Sequence, residues 1–259
     1  MGDVKVGTKV IGADGKPCNV TGVYPKGVKD VYRVTFDDHT FVDCGLEHLW
    51  EVKTRYDRKN KKDFRIVNTE EMLKNYKIKN LNNYSVRLVK PIEFKDELTE
   101  NDLHPYLLGC LIGNGNFRKD QIRLTQNDEE VIKRIREKLP FNIKIKKYSQ
   151  NYQYGIVREN KKDHTKNLVS KLLKEYGLLE KKSYEKFIPN KYLFSNINNR
   201  IELLRGLMDT DGNSFTNNSG AQYTTTSEKL KDNVIELIRG LGGKATYIED
   251  YNNIKIRKK

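Results

Sequence analysis

Asp211 ends an apolar stretch, Leu204-Arg205-Gly206-Leu207-Met208-Asp209-Thr210-Asp211-Gly212. An echo of that stretch, Leu107-Leu108-Gly109-Cys110-Leu111-Ile112-Gly113-Asn114-Gly115, ends in Asn114. If both are helices, Asp211 and Asn114 stand at their C-terminal ends. A carboxylate there faces the negative end of the helix dipole. A divalent cation relieves that conflict, and Mg²⁺ prefers hard oxygens, water and substrate phosphates. Paired sites of this kind run in-line displacement at a phosphodiester. Asn114 holds the partner position without a charge, and its amide oxygen is a weak ligand. A symmetric two-carboxylate site is therefore incomplete. Asp209-Thr210-Asp211-Gly212 superficially suggests a calcium loop, but the required order and the distant Glu are missing.

Close packing of the two helices is what would bring these side chains together. Residues four apart share a helix face. Gly109 and Gly113 make one low ridge, and Gly206 and Thr210 make the other. Around each motif the sequence repeats its order of elements. Pro105 opens the first motif helix, where its missing N–H costs little. A basic strand over 118–124 follows, then a helix over Glu129–Leu139 opened by Thr125-Gln126-Asn127-Asp128, which has capping-box spacing. Strand-like 143–148 and 152–157 lead to a helix over Lys166–Tyr176, stopped by Gly177. The second copy reads as a helix over Ile201–Thr210, a strand over Gln222–Thr226, a capping box at Thr225-Thr226-Ser227-Glu228 and a helix over Lys231–Leu241. Asn114 and Asp211 are 97 positions apart and Thr125 and Thr225 are 100 apart, the small drift a duplicated unit would show.

The rest of the chain bounds the partner. Forty-nine Lys and Arg against 35 Asp and Glu give a net charge of +14, which points to a polyanion, most simply nucleic acid. Cys18, Cys44 and Cys110 show no CxxC spacing, so neither a zinc site nor a disulfide framework is expected. No apolar run approaches the ~18 residues of a membrane span, and no secretory leader is visible. A cytoplasmic protein with no membrane partner is expected. The four histidines form no ligand array, and no phosphate loop, nucleophile elbow or dinucleotide fingerprint is present. Residues 1–53 have a β texture of short β-branched and aromatic runs between Gly, Asp and Pro turns. Residues 54–95 are basic and lack apolar periodicity, apart from one short helix opened by Thr69. The cluster Lys53, Arg55, Arg58, Lys59, Lys61, Lys62 and Arg65 reads either as a solvated linker or as a phosphate-gripping extension.

From Asp96 onward the chain resembles the LAGLIDADG homing endonucleases of the two-motif kind found inside inteins. Besides the two motifs, the runs Asp102-Leu103-His104-Pro105-Tyr106, Lys186-Phe187-Ile188-Pro189, Leu124-Thr125-Gln126 and Thr225-Thr226-Ser227-Glu228 carry the resemblance. It implies an α+β fold: tandem αββαββα halves, about 96–180 and 181–259, each with a saddle-shaped antiparallel sheet over DNA. It also implies a monomer with internal pseudo-two-fold symmetry, and one to three divalent ions between the motif helices. Asp211 and Asn114 would hold Mg²⁺, assisted by the carbonyls of Gly113 and Thr210. Lys186 would stabilise transition-state charge and Gln126 would orient water. Arg118, Lys119, Arg123, Lys144, Lys146, Gln150, Gln153, Lys255 and Arg257 would read or grip the duplex, with Arg55, Arg58 and Lys61 added from the basic segment.

The N-terminal residues resemble the first half of a Hint (intein) domain through Val6-Gly7-Thr8-Lys9-Val10, Asp14-Gly15-Lys16-Pro17, Tyr32-Arg33-Val34-Thr35-Phe36 and Cys44-Gly45-Leu46-Glu47-His48-Leu49-Trp50. His48 falls where such domains keep the histidine that activates the first scissile peptide, and Gly45 stands where Thr or Ser is usual. The chain begins Met1-Gly2 and ends without His-Asn, so it is expected not to splice. A site-specific Mg²⁺-dependent DNA endonuclease is the first expectation. A catalytically impaired DNA- or RNA-binding protein on the same fold is the second, and a splicing fragment awaiting a partner chain is the third.

Overall fold

The computed structural model describes residues 3–118, 121–160, 167–216, 220–250 and 253–257. The chain divides into two compact units, Met1–Lys90 and Pro91–Lys259.

The first unit holds β1 (Lys9–Ile11), β2 (Pro17–Asn19), β3 (Tyr32–Thr35), β4 (Phe41–Cys44), β5 (Leu49–Thr54), α1 (Arg55–Lys59), β6 (Arg65–Asn68), α2 (Thr69–Asn75), β7 (Lys77–Ile78), β8 (Leu81–Asn82) and β9 (Tyr84–Val86). Its pairs β1–β2, β3–β4 and β7–β8 are antiparallel, and β5 lies between β6 and β9. Along β5 every second side chain is buried, and Trp50 and Val52 join Cys44, Val67 and Met72 in a small core.

Two expectations change here. Residues 54–95 are not a linker, because β6 and β9 come from that stretch and satisfy both edges of β5. Their apolar content is too thin to show as a period; pairing to β5 supplies the order. Helix α2 is capped by Asn68, whose Oδ1 accepts from Glu71 N at 2.8 Å. Thr69 is the first helical residue instead, and its hydroxyl takes the buried Trp50 indole N–H at 2.9 Å. A buried donor needs an acceptor, and that need settles which of two adjacent capping residues serves the helix.

The second unit runs α3 (Pro105–Asn114), β10 (Gly115–Arg118), β11 (Gln121–Thr125), α4 (Glu129–Glu137), β12 (Ile143–Lys147), β13 (Gln153–Arg158), α5 (Leu168–Glu175), a 3₁₀ turn at Ser183–Glu185, α6 (Asn190–Leu193), α7 (Ile197–Asp211), β14 (Gly212–Ser214), β15 (Ala221–Thr225), α8 (Glu228–Gly240), β16 (Thr246–Asp250) and β17 (Asn253–Arg257). Two four-stranded antiparallel sheets form, in the orders β10-β11-β13-β12 and β14-β15-β17-β16. Both place the hairpin after the motif helix at the same position, so the element order repeats as the sequence suggested. One continuous core joins α3, both sheets and the inner faces of α4, α5, α7 and α8. Among the described residues no helix is long and apolar enough to cross a membrane.

The expected strand over 118–124 is instead a hairpin, β10–β11, in which Arg118 faces Gln121. Both expected capping boxes shift along the chain. Asp128 caps α4, accepting from Glu130 N at 2.8 Å, and Ser227 caps α8, accepting from Leu230 N at 3.2 Å. The upstream residues are engaged elsewhere. Gln126 Oε1 takes the Asn127 and Asp128 N–H groups, and Thr225 Oγ1 takes that of Ser227.

Candidate functional site

The two motif helices touch backbone to backbone. A Cβ placed on Gly109 would lie 2.4 Å from Leu203 O, and one on Gly206 would lie 2.2 Å from Tyr106 O. No larger residue fits at either crossing point. One turn further along, Gly113 faces Thr210, whose Oγ1 would be 2.0 Å from an added Cβ. Thr210 keeps that hydroxyl turned back on its own helix, donating to Leu207 O at 2.9 Å. Asp211 Oδ2 would be 3.2 Å from the same Cβ on Gly113, so the carboxylate lies against the residue before Asn114. The packing therefore brings the two motif ends together.

Each helix end is held by a residue from elsewhere in the unit. Lys186 is 3% exposed, and its Nζ donates to the carbonyls of Ile112 and Gly115 at 2.7 Å and of Gly113 at 3.2 Å, gathering the C-terminal end of α3. Burial pushes its ammonium down to about 8, opposed by the negative charge of Asp211. Ser227, the cap of α8, fixes Lys186 by donating from Oγ to Lys186 O at 2.7 Å. Gln126 is also buried and donates from Nε2 to Asp209 O at 3.2 Å, which steadies the end of α7. Both ends of its amide are thus engaged by backbone.

Asp211 makes no ion pair among the described residues. Burial raises its carboxyl above the usual range, and Lys186 pulls the other way. Tyr223 in β15 pairs with Gly212, the residue after Asp211. It is 1% exposed, its hydroxyl has no hydrogen-bond partner among the described residues, and burial with the charge of Asp211 raises its pKa. Asp209 faces away from this group: its Oδ2 accepts from Tyr106 OH at 2.8 Å and from Arg134 Nη1 at 3.2 Å. Cys110, packed nearby, is pushed up to about 12 by burial and offers no thiolate. Among the described residues no group of three or more His, Cys, Asp or Glu could hold a metal ion. A cation here would have one carboxylate, the Asn114 amide oxygen and carbonyls as its protein oxygens.

The first sheet has one apolar and one polar face. Phe117, Ile122, Leu124, Tyr154, Ile156 and Ile143 are buried on one side. Arg118, Lys144 and Lys146 are exposed, and Arg123 and Gln153 are partly so, while Gln150 lies exposed in the turn before β13. Arg123 and Lys146 both face Gly155 across the ladder. The Tyr148 ring fills the space over Gly155, with Arg123 5.3 Å and Lys146 5.8 Å from its centroid. Lys119 lies outside the described residues. In the second sheet the backbones of Lys255 and Arg257 pair with Thr224 and Gln222.

The first unit holds the other named residues. Arg58 spends its Nη1 on Lys53 O, Asn83 O and Ser85 Oγ, binding β5 to β9, so its expected phosphate contact competes with an internal task. Arg55 and Lys61 are exposed. His48 is exposed, with its ring 4.7 Å from that of Trp50. Tyr223 is a site-proximal residue that sequence reasoning missed. Tyr223 sits in the polar run Gln222-Tyr223-Thr224, where nothing marks a buried hydroxyl.

Residues 198–257 match the family of LAGLIDADG-like domains. Replicative DNA helicase DnaB of Mycobacterium intracellulare is 30% identical over 93% of this chain and 39% of its own length. Replicative DNA helicase DnaB of Synechocystis sp. is 34% identical over 52% of this chain and 17% of its own length. The chain spans well under half the length of either relative. Among solved structures, I-DmoI in complex with DNA and Mn aligns with a TM-score of 0.41 at 14% identity, covering 61% of this chain and 90% of that one. The N-terminal LAGLIDADG domain of DUF199/WhiA aligns with a TM-score of 0.35 at 13% identity, covering 62% of this chain and 76% of that one. The stretch similar to LAGLIDADG-like domains carries most of α7, Asp211 and the second sheet.

Proposed function

We propose that the second unit is a Mg²⁺-dependent DNA endonuclease of the homing type, built on two pseudo-symmetric halves and acting as a monomer on a long duplex. One observation carries the reading: close-packed helices set Asp211 beside the end that carries Asn114, next to a sheet with a basic, amide-rich face. A bound Mg²⁺ would supply charge neutralisation at a scissile phosphate and a water of lowered pKa. The donor set suits it, because Mg²⁺ takes few protein ligands and keeps waters and phosphate oxygens. Asp211 is the anionic ligand, with the Asn114 amide oxygen and the Gly113 and Thr210 carbonyls as neutral ones. Lys186 positions the end of α3 and acts on the site through Asp211. Gln126 positions the end of α7. Arg118, Arg123, Lys144, Lys146, Gln150 and Gln153 grip or read the duplex, joined by Lys119, Lys255 and Arg257 and, from the first unit, by Arg55, Arg58 and Lys61.

With one acid the expected product is a nick. Supercoiled plasmids carrying a random duplex library are incubated with Mg²⁺ or with EDTA and scored for nicked and linear forms. Asp211→Asn lowers metal-dependent hydrolysis by at least about 10²-fold while DNA binding survives. Asn114→Asp raises the linear product. Failure of both variants to alter cleavage at a mapped site refutes the assignment. Asn114 also favours a second reading, a DNA- or RNA-binding module that has lost cleavage; binding without any cutting, even by Asn114→Asp, selects it. His48 is assigned as a relic of a Hint-like unit. Mixing the chain with candidate C-terminal splicing pieces and finding a ligated product would overturn that.

A further inference from the structure

Three buried side-chain groups hold an atom without a hydrogen-bond partner among the described residues: Arg123 Nε, Arg200 Nε and Tyr223 OH. The two guanidinium groups are engaged through other nitrogens, on Gln121 Oε1 and Ile92 O. Tyr223 has one polar atom, and it is idle. Burying a hydroxyl without a partner is destabilising, and phenylalanine at the same place would avoid that cost. The hydroxyl lies beside the site, since Tyr223 pairs with Gly212 and Asp211 is the charged group acting on it.

The first half lacks this group. Gly115 follows Asn114 as Gly212 follows Asp211, and Gly115 pairs with Leu124. Leu124 is 1% exposed, like Tyr223. Two equally buried positions thus differ in step with the motif residue: a phenol beside the acid and an isobutyl group beside the amide.

We propose that Tyr223 is a positioning residue of the Asp211 cation site, its hydroxyl hydrogen-bonding a water of the ion's inner shell, so that the second half brings to the site a phenol that the first half lacks. This rests on the nuclease reading above and deepens it. An ion held this way at Asp211 directs cutting to one strand, with no counterpart organised around Asn114.

The test is Mn²⁺ binding by the full chain, followed through loss of the free-ion electron paramagnetic resonance signal, with thermal melts in EDTA alongside. Tyr223→Phe is expected to weaken Mn²⁺ by about 10-fold, as for other outer-shell partners. The same variant melts at or above the wild-type temperature in EDTA, because an unsatisfied group is gone. A merely structural tyrosine would give the opposite pattern, a lower melting temperature and unchanged Mn²⁺ affinity. Equal affinity in wild type and Tyr223→Phe, with loss in Asp211→Asn, overturns the proposal and leaves the nuclease reading standing. Equal affinity in wild type and Asp211→Asn overturns both.

Discussion

Gly109→Ala tests the packing on which the site depends. The added methyl would stand 2.4 Å from Leu203 O, 2.9 Å from Leu207 N and 3.0 Å from Gly206 Cα, all backbone atoms of α7. A carbon reaches a carbonyl oxygen comfortably at about 3.3–3.6 Å, so the helices must part by about 1 Å. Overpacking of this kind costs about 1–3 kcal/mol, and contact with backbone puts this case at the upper end. Alanine returns about 1 kcal/mol of helix propensity. The net loss is therefore about 2 kcal/mol, or roughly 4–8 °C in melting temperature for a domain of this size. Gly206→Ala presses on Tyr106 O across the same crossing, so one separation relieves both clashes. The double variant is expected to lose clearly less than the sum of the singles, a coupling that a double-mutant cycle reads directly. Activity falls further than stability, because about 1 Å of misplacement at a reacting centre can cost 10²-fold. Calorimetric melts of the four proteins decide the matter. A Gly109→Ala protein as stable as wild type, or strictly additive losses, would refute close helix contact.

Two further outcomes follow from the groups that hold the helix ends. Lys186 carries a folded-state pKa of about 8 against 10.5 for an exposed lysine, so between those values the unfolded chain binds more protons and stability rises with pH. Denaturant titrations at pH 7 and pH 10.5 are expected to show wild type gaining up to about 3 kcal/mol relative to Lys186→Met, and parallel curves would contradict the buried ammonium. Ser227→Ala removes both the cap of α8 and the bond to Lys186 O, and is expected to lower the urea midpoint by an amount equal to about 1–2 kcal/mol, with Ser227→Thr restoring much of it.

The residues that set the helix crossing were legible because small side chains at fixed spacing have one strong use. The helices over Glu129–Leu139 and Lys231–Leu241 were legible too, and α4 and α8 bury Val131, Ile132 and Ile135, and Leu230, Val234 and Leu237. Cap identity was less legible. Thr125, Asn127 and Asp128 can all cap a helix, and the choice falls to Asp128 because the Gln126 side chain takes the neighbouring N–H groups while reaching for α7. That reach is a tertiary fact with no local signature. The same holds for the first unit, where the sequence has too few apolar residues between Arg55 and Val86 to reveal that β6 and β9 clasp β5. Tyr223 was invisible for a related reason: burial on a polar strand comes from the strand's place in the sheet, not from its composition.

The two clamps cross over, and their charges differ. Gln126 belongs to the first half of the unit and holds the end of α7, while Lys186 comes from the segment before α7 and holds the end of α3. Helix C-terminal ends attract positive charge. At α3 that demand is met from within, because Lys186 places its ammonium among the last carbonyls and the terminal side chain, Asn114, is neutral. At α7 the clamp is a neutral amide and the terminal side chain is an acid, so the demand is doubled and left open to an external cation. Lys186 answers part of it at a distance, yet its own burial weakens the ammonium. The asymmetry therefore lies deeper than the replacement of one motif acid. Restoring an aspartate at position 114 adds an anion at the helix end whose last carbonyls already meet the Lys186 ammonium.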